Sequence, residues 1–420
     1  MIRFDMQLGG PTQAELDAAY LELPLAAKHA TLMHHPPPGP WFEDATCAGA
    51  LPKNGWRAPN TWYLWLGDEE RGLCWFAEDQ AAWGLDPKKP GIEAVPDGNA
   101  VRLRVWLVNS PTKLAALRPF TWGLMATPVR PLPKGWQRWR FGSPNAAVNI
   151  AVLWSTLRTS TWHSFPVPPD PSWYHAEVRR AHEQGKKFVP YTNFNMQSNV
   201  GDEWGYWGEE WNAYAGEGKA ADVLAMNVVN VRCCAMNATW CDFITWKYKR
   251  YIEEYDSDGF YLDNSIPAQC RNRLHPPEHH QRRHIFAARE LMRRFYTVTK
   301  QNAPNNLMVC HMSATLCIPV LSFCDAIVDG EQYGWALDEK FDGHYMPLTP
   351  LDRVRAQLMA TQWGQVPLFL PCNRGPNPWS PALMRELLAL MLPHGMRFWF
   401  GGHPQTMGQA LDVVDSFGLE

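Results

Sequence analysis

Along this 420-residue chain the spacing of apolar positions changes near residue 142. Before it, Thr61–Leu66, Arg71–Glu78, Val101–Asn109 and Phe120–Pro128 read as strands, each set off by Gly, Pro, Asn or Asp, and Ile2–Leu8 reads as another. Aliphatic and aromatic side chains in short runs suit a pleated, half-buried surface, and the breakers between them mark turns. Strands that follow one another without helices predict an antiparallel β-sandwich over residues 1–142.

Residues 143–420 alternate short apolar runs with helical periodicity. Eight strands are predicted: Val148–Trp154, Lys187–Asn193, Val228–Ala235, Gly259–Asn264, Leu307–Met312, Ala326–Glu331, Val366–Cys372 and Met396–Gly401. Helices are predicted at Ser172–Gln184, Trp240–Glu254, Pro277–Gln301, Pro350–Gln362 and Ser380–Leu392, several opening on Ser or Pro as helix starts do. Apolar strands joined by helices build a parallel sheet covered on both faces. Eight such units in this length predict an α/β fold, a (β/α)8 TIM barrel behind the sandwich. The thinnest unit is Ser313–Asp325, which leaves space only for a short helix.

Composition narrows the partners. There are 39 Lys and Arg against 42 Asp and Glu, a net charge of −3, and no basic tract, which argues against nucleic acid. No apolar run approaches the roughly 18 to 20 residues of a membrane span. The opening MIRFDMQLGG lacks a signal-peptide pattern, so the expectation is a cytoplasmic protein or an excised piece of an exported one. The ten Cys form no C-x-x-C pair and sit mostly in apolar runs, which reads as buried free thiols. Twenty-two Trp supply abundant flat aromatic surface. In the first domain they read as core and sheet cover, or alternatively as a sugar-stacking face.

Chemistry gathers where a (β/α)8 barrel keeps its active site, at the C-terminal ends of the strands. In chain order these ends supply Trp154, Tyr191 and Asn193, Asn237, Asp263 and Asn264, His311, Asp329 with Glu331 and Tyr333, Asn373 with Arg374, and Trp399. Amides, aromatics, a His, an Arg and several carboxylates in one mouth suit a ligand with many hydroxyls and an apolar ring face. An oligosaccharide or glycoconjugate is the expected partner, with no cofactor and no metal.

The run Asp256-Ser257-Asp258-Gly259-Phe260-Tyr261-Leu262-Asp263 is the most specific local signal. A carboxylate at the top of an apolar strand is costly to desolvate unless it has work or a partner. Asp263 reads as a nucleophile or charge stabiliser at an anomeric carbon; alternatively it caps a loop or pairs with Arg271 or Arg374. Asp258 reads as a structural turn residue at the opposite end. Asp329 and Glu331 are two apart, hence on one face if the strand runs through both. Two close carboxylates push one pKa up, so Glu331 reads as the acid/base with Asp329 tuning it. The plainer alternative gives Glu331 only a hydrogen bond to a sugar hydroxyl.

This layout resembles glycoside hydrolases with (β/α)8 barrels that carry an Asp after a D-G-[FL]-Y-[LVF]-D strand four and a carboxylate on strand six, as in family 101 and the α-galactosidase-like clan. A second stretch, Trp65-Leu66-Gly67-Asp68-Glu69-Glu70-Arg71-Gly72-Leu73-Cys74-Trp75-Phe76-Ala77-Glu78 with Thr121–Pro133, is similar to the sandwich-to-barrel junction of the family 123-like glycoside hydrolases, among which N-acetylgalactosaminidases occur. The resemblance implies glycosidase activity, on N-acetylgalactosaminides or galactosides. Family 123 uses an adjacent Asp-Glu pair where this chain has Asp263-Asn264. Retaining, inverting and substrate-assisted chemistry therefore all stay open, as does a catalytically inactive carbohydrate-binding protein on the same barrel.

Two features are weaker. His275, His279, His280 and His284, with Glu278, crowd the start of a helix and read as a polar surface helix rather than a metal site, which needs three or four convergent ligands. Asn199–Gly218, with Trp204, Trp207 and Trp211, is long and aromatic for a connection and reads as a lid over the mouth.

Overall fold

The computed structural model describes the chain except residues 11–13, 37–46, 79, 81–82, 114–116, 145, 154–166, 169, 200–201, 215–220, 224–228, 281–282, 313–314, 335–343, 360, 372–379 and 401–420. It divides into two compact units. The first comprises Met1–Pro40, Asp44–Pro131 and Pro350–Gly364; the second holds Leu132–Thr349 and the chain from Gln365 onward.

In the first unit two antiparallel sheets share one core. One runs Ile2–Leu8, Arg118–Thr127, Gly72–Phe76, Tyr63–Gly67, Leu32–His34, Ala48–Ala50; the other runs Ala19–Ala26, Ala100–Val108, Ile92–Asp97, Trp56–Ala58. Leu64, Leu66, Trp75, Phe120 and Trp122 from the first sheet meet Ile92, Ala94, Val101, Leu103 and Val105 from the second. Residues two apart face the same way, so the intervening positions of the second sheet turn outward. There Arg102 and Arg104 bond Glu22, and Arg104 and Arg57 bond Glu93. Trp65, Trp75, Trp83 and Trp122 are buried, which makes the tryptophans of this unit chiefly core. Pro350–Gln362, expected as a barrel helix, instead belongs to the first unit and contributes one short helical turn, Leu351–Arg353, and a π turn, Val354–Leu358. Arg355 bonds Glu69, and the Trp363 ring lies 4.6 Å from that of Trp65.

The second unit is α/β, with parallel strands curled into a ring. Its members are β1 (Phe141–Gly142), β2 (Ile150–Leu153), β3 (Lys187–Asn193), β4 (Gly259–Asp263), β5 (Leu307–His311), β6 (Ala326–Asp329), β7 (Val366–Phe369) and β8 (Arg397–Phe400). Each pairs with the next, and the two-residue β1 joins β8 to β2. Among the described residues the longer helices beside them are α1 (Pro171–Glu183), α2 (Asp202–Trp211), α3 (Ala238–Tyr255), α4 (Ile285–Asn302) and α5 (Pro381–Met391), with a single helical turn at Ile318–Leu321 between β5 and β6. Asp170, Asn237 and Ser380 cap α1, α3 and α5 by accepting an early backbone N–H.

One predicted ring strand is misplaced. Val228–Ala235 supplies Val229–Arg232 of a separate antiparallel sheet with Met196–Ser198 and Ala221–Val223, and β3 pairs directly with β4. Because β1 enters ahead of β2, Gly259–Asp263 still stands fourth and Ala326–Asp329 sixth. At the foot of β4, Gly259 adopts φ +131°, and a Cβ there would meet the Leu307 carbonyl at 1.9 Å. The glycine of the D-G-F-Y-L-D run is thus required by the close approach of β5. Cysteines depart from expectation at one point, a Cys310–Cys324 disulfide. Cys74, Cys233, Cys234, Cys241, Cys270 and Cys317 are buried thiols outside any disulfide.

Candidate active site

Alternation along the strands decides which side chains reach the ring interior. Val189, Tyr191, Tyr261, Val309, Val328, Leu368 and Trp399 belong to the interior core, so Asn193, Asp263 and His311 continue the same faces at the C-terminal ends. Tyr191 opposes Tyr261, with ring centroids 5.3 Å apart, and Trp399 stands edge-on to Tyr261 at 5.8 Å. These rings form an apolar floor beneath the polar layer.

On that floor the imidazole of His311 stands between two carboxylates. Its Nδ1 faces Asp263 Oδ1 at 3.2 Å and the Tyr261 hydroxyl at 2.8 Å, while Nε2 faces Glu331 Oε2 at 3.4 Å. Asp263 also accepts from the Tyr191 hydroxyl and, at 2.7 Å, from the Asn264 backbone N–H. Burial alone would raise the Asp263 pKa, but His311, Tyr191 and that N–H outweigh it and hold the carboxyl below its ordinary range. Burial likewise opposes charge on His311, yet Asp263 and Glu331 raise its pKa above the ordinary value. Burial and the Asp263 charge push the Tyr191 hydroxyl far up, so it stays a donor. His311 is nearly closed off, with 5% of its side chain exposed, whereas Asp263 and Glu331 keep 22% and 19%. The carboxylates are open to a ligand and the base between them is not.

The argument that put Asp329 and Glu331 on one strand face does not hold. Strand β6 ends at Asp329, Gly330 turns the chain at φ +115°, and Glu331 opens a 3-10 turn. Val328 lies inward, so Asp329 faces the other side of its strand. Asp329 is spent locally: its Oδ1 accepts the Gly330 N–H at 2.8 Å and the Gln332 amide at 2.6 Å. Glu331 reaches His311 because of that turn.

Asn193, opposite Asp263 in register, is buried, and neither its side-chain oxygen nor its nitrogen has a hydrogen-bond partner among the described residues. Asn264 adopts φ +50° and is half-buried beside Asp263. Tyr333 is buried, parallel to Phe369 at 6.2 Å. Asn237 is not at the mouth: with Val229–Arg232 outside the ring, it caps α3, accepting from Trp240 N at 2.9 Å and Thr239 Oγ1 at 2.7 Å. Trp154, Asn373 and Arg374 lie outside the described residues. The region expected as a lid contains α2, whose Trp211 is buried against Phe243 while Trp207 is 47% exposed. Sequence reasoning missed Tyr261, though it sits two before Asp263 and the strand period puts both on one face.

The histidines after β4 precede the long helix instead of lying on it, with only a 3-10 turn at Pro277–His279. Helix α4 starts only at Ile285; His275 and His284 are buried, and Cys234 and Cys270 join them.

No protein-family profile matches the sequence, and no curated protein matches it. Solved structures match its fold. The galactosidase domain of the α-galactosidase–sucrose kinase AgaSK gives a TM-score of 0.51 at 11% identity, over 99% of this chain and 64% of that one. The GH36 α-galactosidase AgaA from Geobacillus stearothermophilus gives 0.50 at 11% identity, over 95% and 62%. TtGalA, an α-galactosidase from Thermus thermophilus in complex with p-nitrophenyl α-D-galactopyranoside, gives 0.48 at 12% identity, over 98% and 92%. The chain thus spans less than two thirds of the AgaSK and AgaA chains. At this identity the likeness is one of fold, an α/β unit of curled parallel strands with antiparallel β-sheets.

Proposed function

We propose that this protein is a glycoside hydrolase on a complete (β/α)8 barrel, with Asp263 as the ionised carboxylate facing the anomeric carbon and Glu331 as acid/base. The observation that carries the reading is the bridge Asp263–His311–Glu331 at the C-terminal ends of β4, β5 and β6. Two partly open carboxylates flanking a sugar bond are what glycoside hydrolysis requires. Asp263 is held ionised by donors that persist without substrate, which suits a group stabilising or attacking an oxocarbenium-like centre. The floor of Tyr191, Tyr261 and Trp399 offers flat apolar surface, and Asn193 offers an amide whose donors and acceptor are unspent. Galactosides are the substrates to try first, since α-galactosidases share the fold.

A panel of aryl galactosides and N-acetylgalactosaminides tests this. Turnover by the wild type should fall by about 10³-fold or more in Asp263→Asn, a change that keeps the shape and removes the charge. Glu331→Gln should spare substrates with very good leaving groups and cripple poor ones, because an acid matters least when the leaving oxygen needs no proton. Saturable binding of these sugars without turnover would instead make the protein a lectin-like binder.

A further inference from the structure

Twenty-one residues, Asn264–His284, separate the top of β4 from α4, and the described ones among them surround a buried knot of sulfur and imidazole. The Sγ of Cys234, the Sγ of Cys270 and a ring nitrogen of His275 lie within 4.8 Å of one another, all three residues being buried. Cys270 Sγ stands 3.0 Å from His275 Nδ1, and Cys234 Sγ stands 3.8 Å from His279 Nδ1 and 4.0 Å from His284 Nδ1. Ala213, Met236 and Tyr214 pack around the thiols.

We infer that Cys234, Cys270, His275 and His279 form a structural site for a zinc-type divalent cation. Thiolate and imidazole in a four-donor set select zinc over the oxygen-seeking cations. Zinc bonds sulfur at about 2.3 Å and nitrogen at about 2.0 to 2.1 Å, so a tetrahedral site puts S and N donors roughly 3.6 Å apart. The observed S···N distances of 3.0 and 3.8 Å bracket that spacing. The interval between His275 and His279 is the H-x3-H spacing of structural zinc sites. Orientation fits as well: His275 Nε2 is engaged with the Glu210 carbonyl, which directs Nδ1 to the sulfur. His284 stands behind the set, donating from Nε2 to the His279 carbonyl at 2.7 Å.

The site would add metal bonds between segments already joined by apolar packing of Ala213, Cys234 and Cys270 and by hydrogen bonds. Cys234 follows Val229–Arg232, and its N–H bonds the Trp211 carbonyl at the end of α2. The 265–284 segment bonds the same helix end through Asn272 Nδ2, at 2.8 Å to the Glu209 carbonyl and 2.6 Å to that of Asn212. Residue 265 lies two positions after Asp263, so the cation would brace the loop that leaves the candidate active site. Four protein donors leave no open position, so the cation would be structural rather than a Lewis acid in the reaction. This inference does not rest on the glycosidase reading.

Metal analysis of the full chain, purified without chelator, should find about one zinc per chain. Cobalt added to the stripped protein should give a thiolate-to-metal charge-transfer band, whatever the enzyme activity. Cys270→Ser, His275→Ala and His279→Ala should each lower zinc affinity by about tenfold or more, while Cys47→Ser should leave it unchanged. A chelator should lower the melting temperature of the wild type and not that of a variant already free of zinc. Zinc at background level together with no thermal shift on adding zinc to the reduced wild type overturns the proposal. So does a Cys234–Cys270 disulfide in the native protein by non-reducing mass spectrometry. Both readouts use the wild type, so an unfolded variant cannot hide the answer.

Discussion

At the N-terminal end of the ring, the residues just before β4 and β6 are Asp258 and Asp325, and each bolts the strand that precedes its own in the ring. Asp258 Oδ2 accepts the Phe188 N–H of β3 at 2.8 Å, with His182 and Lys187 around it. Asp325 Oδ2 accepts the Met308 N–H of β5 at 2.8 Å and the Lys300 ammonium at 2.8 Å. At the other end of the same strands, Asp263 and Glu331 face one shared imidazole and remain partly open. Below, carboxylate oxygens are consumed by strand N–H groups, an ammonium and, at Asp258, an imidazole, which hold strands in register. Above, Asp263 takes the Tyr191 hydroxyl, the Asn264 N–H and the imidazole it shares with Glu331, and both carboxylates keep room for a ligand. A carboxylate at a strand end is thus read by what occupies its oxygens.

The largest effect should separate them cleanly. Asp325→Ala leaves the mostly buried Lys300 ammonium and the Met308 N–H without this acceptor, and should cost about 3 to 5 kcal/mol in urea unfolding. Turnover per folded molecule should stay within a few-fold of wild type. A cost under about 1 kcal/mol, the scale of an exposed pair, would break the contrast.

The second effect acts at the top. His311→Gln keeps a polar side chain of similar reach but removes the cation shared by Asp263 and Glu331. The kcat/KM for aryl glycosides should fall by about 10²-fold, the lower range for losing a group in the acid–base machinery. Melting should shift far less than in Asp325→Ala. Full activity in the glutamine variant would mean the two carboxylates work independently of the bridge.

The sequence made much of this contrast legible. Asp258 and Asp263 bracket an apolar strand whose period, with Gly259 at its foot, is visible in Asp258-Gly259-Phe260-Tyr261-Leu262-Asp263. Three features were hidden by physics. An apolar run such as Val228–Ala235 suits a ring strand and a side-sheet strand equally, because burial on both faces leaves no period to read. The two-residue β1 that replaces it has too little pattern to detect. Glu331 was read as a strand residue because nothing local announces that Gly330 turns the chain. The thiols of Cys234 and Cys270 belong to segments far apart in sequence, so no spacing rule links them to His275. Tertiary approach alone creates that cluster.

The smallest effect concerns pH, and its sign follows from the direction of each shift. His311 is raised above its ordinary 6.5, so its contribution to stability is complete below that value and is lost as pH rises through the folded pKa. Asp263 is lowered below its ordinary 3.8, so its contribution is complete above that value and is lost as pH falls through the folded pKa. Between roughly pH 4 and 6.5 both are in place, and the bridge is at its strongest. Unfolding free energies measured at pH 6 and pH 8.5 should therefore differ more in wild type than in His311→Gln. Other groups titrate in that interval, but they do so in both proteins and cancel in the difference. Asp325→Asn, at the opposite end, should show the wild-type difference on a lower baseline. If the glutamine variant keeps the full pH dependence, the imidazole does not carry the charge assigned to it, and the open ends of β4 and β6 lose the feature that sets them apart from the bolted ends.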